Sequence, residues 1–156
     1  MEILLIRSFN LLLERGDFLM KQGCIYLLFL FFISNASAGS VTRYGVFDDT
    51  GKHLETSDQI KHGRKISLGF CFSLKVDTDE TKLTLVETVV HPLVTKSNGI
   101  ESIGHSVPRK YPVHNKKVEG CAIYHAERAE DLVSGDWDFS ISQNGIDLVN
   151  KKFRVY

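Results

Sequence analysis

The sequence is short of several things, and each shortage excludes something. It has no excess charge: 19 Lys and Arg are balanced by 19 Asp and Glu. That argues against a nucleic-acid binder working through a basic surface, because such binding rests on neutralising phosphates. It has no apolar run of the roughly 20 residues that a bilayer-spanning helix needs. Its three cysteines include no Cys-x-x-Cys pair and stand in no close Cys/His cluster, so no structural zinc motif is present. There is no Gly-x-Ser-x-Gly elbow and no phosphate-cradling glycine loop. Internal repeats and low-complexity tracts are also missing. What remains is 156 residues, 43% apolar and 24% charged, a globular composition with room for one domain.

The apolar residues are unevenly spread. Residues 1–38 hold 24 of them, with both methionines and five of the ten phenylalanines. Within that stretch the uncharged run Cys24–Ile33 is ten residues long, the length of the apolar core of a secretory signal helix and too short to span a membrane. Lys21 precedes it, and Ala36-Ser37-Ala38 supplies small residues at the spacing signal peptidase reads. The expectation is an N-terminal extension and cleavable signal over 1–38, with the true start at Met20, followed by a single domain over 39–156. Cys24 opens the apolar run and does not follow it, which does not suit a lipid anchor. The mature chain is then exported, periplasmic or secreted, with no transmembrane anchor after cleavage.

Cleavage removes Cys24 and leaves Cys71 and Cys121. An exported domain with two cysteines can close one disulfide; two buried free thiols are the alternative. The alternation around Cys71 places it on the Ser67/Gly69/Ser73 side of its strand, away from the apolar face, which counts against the bridge.

The domain reads as strands. Over Lys65–Asp77, Ile66, Leu68, Phe70, Phe72, Leu74 and Val76 alternate with polar or small residues, the period of a strand with one buried face. Thr81–His91 follows and Pro92 ends it, with Asp77-Thr78-Asp79-Glu80 read as a hairpin turn between the two. Near the C-terminus Trp137, Phe139 and Ile141 alternate with Asp138, Ser140 and Ser142. Asn144-Gly145 comes next, a pair suited to the positive φ of a type I′ turn, and Ile146–Tyr156 returns with a bulge expected near Asn150-Lys151. Val41–Phe47, Leu54–Ile60 and Gly120–His125 are weaker strand candidates, and Ala126–Leu132 offers one or two helical turns. Leu93–Val118, with Pro108 and Pro112, reads as an extended connection with an edge strand. The fold class is all-β: an antiparallel sandwich of about six to eight strands. Its expected core is Phe70, Phe72, Leu83, Leu85, Ile123, Trp137, Phe139, Ile141 and Phe153.

The corner Leu132-Val133-Ser134-Gly135-Asp136-Trp137-Asp138-Phe139, continuing through Asn144-Gly145 to Phe153-Arg154-Val155, resembles the end of bacterial immunoglobulin-like domains. Together with Tyr44-Gly45, Gly63, Gly69-Phe70 and His91-Pro92, it makes residues 41–156 similar to an uncharacterised bacterial family, domain of unknown function 3859. That family has a proline shortly before the positions of Gly63 and Gly135, where this chain reads Ile60-Lys61-His62 and Val133-Ser134. The resemblance implies an immunoglobulin-like exported domain and brings no activity or ligand with it.

Few residues suggest chemistry. The six histidines, His53, His62, His91, His105, His114 and His125, match no metal motif and read mainly as solvated. His105, His114 and His125 would converge only if the proline-containing segment folded back. A Cys/His thiol nucleophile would compete with disulfide formation. Asp136 and Asp138 share the outward face beside Trp137 and mark its solvent side. Arg109, Lys110, Tyr111, His114, Lys116 and Lys117 make Val107–Val118 the expected partner-facing loop. The expectation is a non-catalytic envelope module that binds an unknown envelope protein or glycan or is structural, with no catalytic, cofactor or metal residues and no nucleic acid. A periplasmic metal-binding protein or enzyme using the loop histidines is the alternative, and acceptance or donation of a strand at an exposed edge is a third reading.

Overall fold

The computed structural model describes residues 39–63, 65–95 and 98–156. The expected leader, with Met20, Lys21, Cys24 and the Ala36-Ser37-Ala38 site, lies outside the described residues.

Among the described residues nine strands follow one another, one more than the upper end of the expected six to eight: β1 Ser40–Phe47, β2 His53–Glu55, β3 Gln59–Ile60, β4 Ser67–Lys75, β5 Lys82–Thr95, β6 Glu101–His114, β7 Lys117–His125, β8 Gly135–Gln143 and β9 Ile146–Val155. A short 3-10 turn, Ala129–Asp131, lies between β7 and β8, within the segment expected to make a turn of helix. The strands form one curled sheet in the order β2-β1-β4-β7-β6-β5-β8-β9-β3. Every neighbouring pair is antiparallel except β3 with β9. The curl brings β4 and β7 over β5, β8 and β9, so Phe70 and Phe72 of β4 share one buried cluster with Trp137, Phe139 and Ile141 of β8. Tyr124 of β7 meets the Trp137 ring across the two layers at 4.9 Å. The expected core is buried except for Ile123. That residue pairs with Gly69 and so lies on the outer face of β7 with Cys121.

The corner before β8 is built as its residues suggest. Gly135 has φ 138°, open to glycine, and a Cβ there would stand 2.5 Å from Pro92 Cγ. The Trp137 indole N–H donates to the Val133 carbonyl at 3.0 Å, which satisfies the one polar atom of a side chain that is 0% exposed. Asn144 and Gly145, at φ 52° and 78°, close the β8–β9 hairpin.

Four local expectations are corrected. Asp77–Glu80 is not a hairpin turn, because β4 and β5 lie in different layers and pair with other strands; the segment carries the chain across. Pro92 does not end β5, which continues to Thr95 through an irregularity between Val90 and Val94 where the missing amide of Pro92 is tolerated. The β9 bulge falls where Ile141 pairs with Val149 and Ser142 with Asp147, earlier than Asn150-Lys151. Most of Leu93–Val118 is not an extended connection: Glu101–His114 is a 14-residue strand laddered to β5.

Candidate functional site

The expected partner-facing loop is a strand and a tight hairpin. Asn115 and Lys116 both take positive φ, 51° and 56°, and join β6 to β7 through the pairs His114–Lys117 and Val113–Val118. The next pair would set Pro112 opposite Glu119, and a proline has no N–H to give the ladder. Pairing stops there. Tyr111 then turns its ring over Gly120, where a Cβ would stand 2.2 Å from Tyr111 Cε1, and meets Phe72 edge-on at 5.4 Å. Beyond this wedge β6 and β7 separate, each with one edge laddered, to β5 and to β4.

Directly opposed residues of an antiparallel pair share a face. On that rule His105, Val107, Arg109 and Tyr111 lie on the inner side of β6, opposite Val89, Glu87, Leu85 and Leu83. The β5 partners are all buried. On β6 only Tyr111 is buried, whereas His105, Val107 and Arg109 are exposed. The layer holding β6 therefore reaches further on this side than the layer ending in β7. This open side is where polar groups enter the core.

Glu87 is buried at 8% exposure. It accepts a hydrogen bond from the Tyr111 hydroxyl and an ion pair from Arg109 Nε at 2.8 Å. Burial, then the bond to Glu87 and its charge, push the Tyr111 phenol upward, so it stays protonated. Further along β5, His91 is 5% exposed, its Nδ1 2.7 Å from the Pro92 carbonyl. Its ring lies 4.7 Å from Trp137 and 5.6 Å from Tyr124. His105 approaches Tyr124 at 6.4 Å. The expectation of solvated histidines thus fails for His91, which is packed as an aromatic, and for half-buried His53, whose Nε2 sits 3.0 Å from the Tyr44 carbonyl.

The remaining singled-out residues are distributed as follows. Cys71 and Cys121 are directly opposed on β4 and β7 and form a disulfide, on the outer face where alternation put Cys71. His105 and His114 are nine positions apart on one strand, about 30 Å by strand rise, and His125 lies at the far end of β7 beside Ser67, 2.8 Å away. They do not converge, and among the described residues no three His, Cys, Asp or Glu are grouped to hold a metal. Tyr111 is buried rather than partner-facing. Lys116 is paired with Asp77 at 2.9 Å and Lys117 with Glu119 at 2.6 Å, so the basic doublets are largely answered by acids. Asp136 and Asp138 do share the outer face, each paired across to β9, with Arg154 at 2.6 Å and Lys152 at 3.3 Å. They line a shallow groove of about 420 Å³ with Asp58 and Gln59.

Glu87 and the open side were missed in the sequence. Glu87 shares its inner-face parity with Leu83, Leu85 and Val89 in a strand of period two, and that parity was the available signal.

Comparison with solved structures finds an immunoglobulin-like protein of Pseudomonas aeruginosa at TM-score 0.60 and 19% identity, covering 78% of this chain and all of that one. The fold is therefore immunoglobulin-like. A DNA-bound alkylpurine DNA glycosylase of Pseudomonas fluorescens aligns at TM-score 0.39 and 16% identity over 90% of this chain and 36% of that one. No family model and no curated protein matches the chain, so membership of domain of unknown function 3859 is not shown.

Proposed function

We propose that this chain is an exported, non-catalytic module of the cell envelope that works by binding another envelope protein, as a scaffold clamped by one disulfide. The observation that carries the reading is the Cys71–Cys121 bridge between two interior strands, since such bonds persist in oxidising compartments. The leader pattern of residues 1–38 supports the same compartment. The handling of its ionisable groups supports binding over chemistry. Glu87 is held by Tyr111 and Arg109. Asp131 is held by the backbone N–H and guanidinium of Arg128. Groups consumed in this way brace the fold and have no free acid or base to offer a substrate. Similarity to domain of unknown function 3859 is part of the reading and fits an envelope protein of this architecture.

The test is expression of the full chain with a C-terminal tag in a Gram-negative host. The expected product is released by osmotic shock, begins at Gly39, and shifts mobility on reduction. Crosslinking in intact cells is expected to trap it in a discrete complex with one protein. A full-length cytoplasmic product with free thiols would overturn the export reading, and a product that stays uncrosslinked would overturn the binding reading.

A further inference from the structure

Each end of the curled sheet is closed by a very short strand, β2 of three residues and β3 of two, a common way to blunt an edge. The open side between β6 and β7 is different. The register of β4 with β7, extended by the Val76 N–H bonded to the Lys116 carbonyl, fixes which way each backbone group points. Residues 118, 120, 122 and 124 exchange hydrogen bonds with β4. Glu119, Cys121 and Ile123 direct their N–H and C=O groups to the other side, where β7 pairs with β6 only through Lys117 and Val118. No proline interrupts this edge. The β6 edge is different again: Val113 N–H bonds the Thr81 carbonyl, so the even-numbered residues point outward, and Pro108 and Pro112 stand among them without an amide.

We propose, resting on the binding reading above, that the edge of β7 from Cys121 to His125 accepts an extended segment of a partner polypeptide as an added strand. Two independent features converge on that place. The edge offers about four main-chain hydrogen bonds, two each from Cys121 and Ile123. The inner side of β6, with Val107 at 37% exposure, lies over the same place and would be covered by the added strand.

On the inner side of β7, Gly120 is already covered by the Tyr111 ring and Ala122 is buried, so inward side chains of the segment would pack against the exposed Val107 of β6. The segment this suits alternates aliphatic residues facing inward with polar ones facing out. It carries a carboxylate at the end near Lys110. A folded second copy is a poorer occupant, because its own β7 edge is recessed beneath its β6 and two recessed edges do not meet. The disulfide holds β7 to β4, so the edge is fixed before the segment arrives.

The probe is a fluorescein-labelled peptide alternating valine and threonine, with two glutamates at one end, added to the protein with its disulfide formed. Saturable binding is expected, with amide exchange slowed about tenfold or more at Cys121 and Ile123 and unchanged at Ala122. Ile123→Pro, which removes one outward N–H, should weaken binding about tenfold. Val107→Asp, which alters no backbone group, should also weaken it and serves if the proline variant fails to fold. Binding with protection elsewhere overturns this site and leaves the binding reading standing. No binding at millimolar peptide also overturns the site, while the crosslinking experiment judges the binding reading separately. A dimer that Ile123→Pro dissociates would overturn the choice of occupant.

Discussion

Replacing both cysteines, Cys71→Ala with Cys121→Ala, tests what the bridge does. The bonded residues are 50 apart in sequence, and closing a loop of that length lowers the entropy of the unfolded chain by an amount worth about 4 kcal/mol. In the folded state the two residues are already opposed in a nine-pair ladder, so removing the bond should change the native structure little. The loss should therefore act through the unfolded state. A domain of this size loses about 4 °C of Tm per kcal/mol, which predicts a fall of about 15 °C. Urea unfolding can be followed by the emission of Trp137, buried in the core, for the oxidised protein, the reduced protein and the double variant. The reduced protein and the variant should coincide, and both should show a larger m-value because the unfolded chain expands. A loss below about 1 kcal/mol with an unchanged m-value would refute the chain-entropy reasoning. Loss in the variant but not in the reduced protein would instead assign the effect to packing around Cys71, which is 3% exposed.

Other perturbations follow from the same geometry. Tyr111→Phe removes a hydrogen bond to the buried Glu87 carboxylate and should cost about 2 kcal/mol in urea unfolding; Glu87→Gln should cost less, because the amide oxygen still accepts from Tyr111, and equal losses would contradict the assignment. Burial alone would raise the Asp131 carboxyl, but hydrogen bonds from the Arg128 side chain and backbone outweigh it and hold the group below its ordinary range. Its folded pKa is thus below its unfolded value, so the stability it contributes is complete above about pH 4 and is lost as pH falls through the folded value. Asp131→Asn should flatten the acid limb of stability against pH, and an unchanged acid limb would reject the claim. Gly135→Ala meets both the positive φ and the Pro92 ring and should cost about 2 kcal/mol or more; adding Pro92→Ala should recover the steric part only, and full recovery would show that the backbone carries no strain.

How much of this was legible depends on the range of the interaction. The strands β4, β8 and β9, the Asn144-Gly145 turn and the Gly135 corner are written in neighbouring residues, by period two and by positive-φ chemistry. They were read from the sequence with only the position of the β9 bulge wrong. β6 was obscured because Pro108 and Pro112 argue against a strand unless it is known that their missing amides point away from β5. That fact is set by the pairing partner, not by the local sequence. The same limit explains the β4–β5 turn: two good strands joined by a short acidic link look like a hairpin, and only the core contacts of both layers decide that the chain crosses over instead.

The open side of the domain was hidden for a related reason. Alternation tells which residues share a face, so it places Cys71 on the outer side correctly, yet without a partner in view that position counts against the bridge. A cross-strand partner on that same outer side, Cys121, makes the position an argument for the bond once register is known. Likewise Glu87, His105, Val107 and Arg109 carry inner-face parity, and nothing in the sequence says that the opposite layer stops at β7. Exposure on the inner side of a strand measures where the covering layer ends, a long-range property of the whole sheet. The Pro112 position is the local device behind it: one absent N–H stops the β6–β7 ladder at Val113–Val118 and leaves the edge of β7 available. Restoring that donor with Pro112→Ala would let Glu119 pair across to β6. The added ladder should then slow amide exchange at Glu119 in the isolated protein and weaken the alternating peptide. Unchanged exchange there would show that Tyr111 wedged over Gly120, and not the proline, holds the two strands apart.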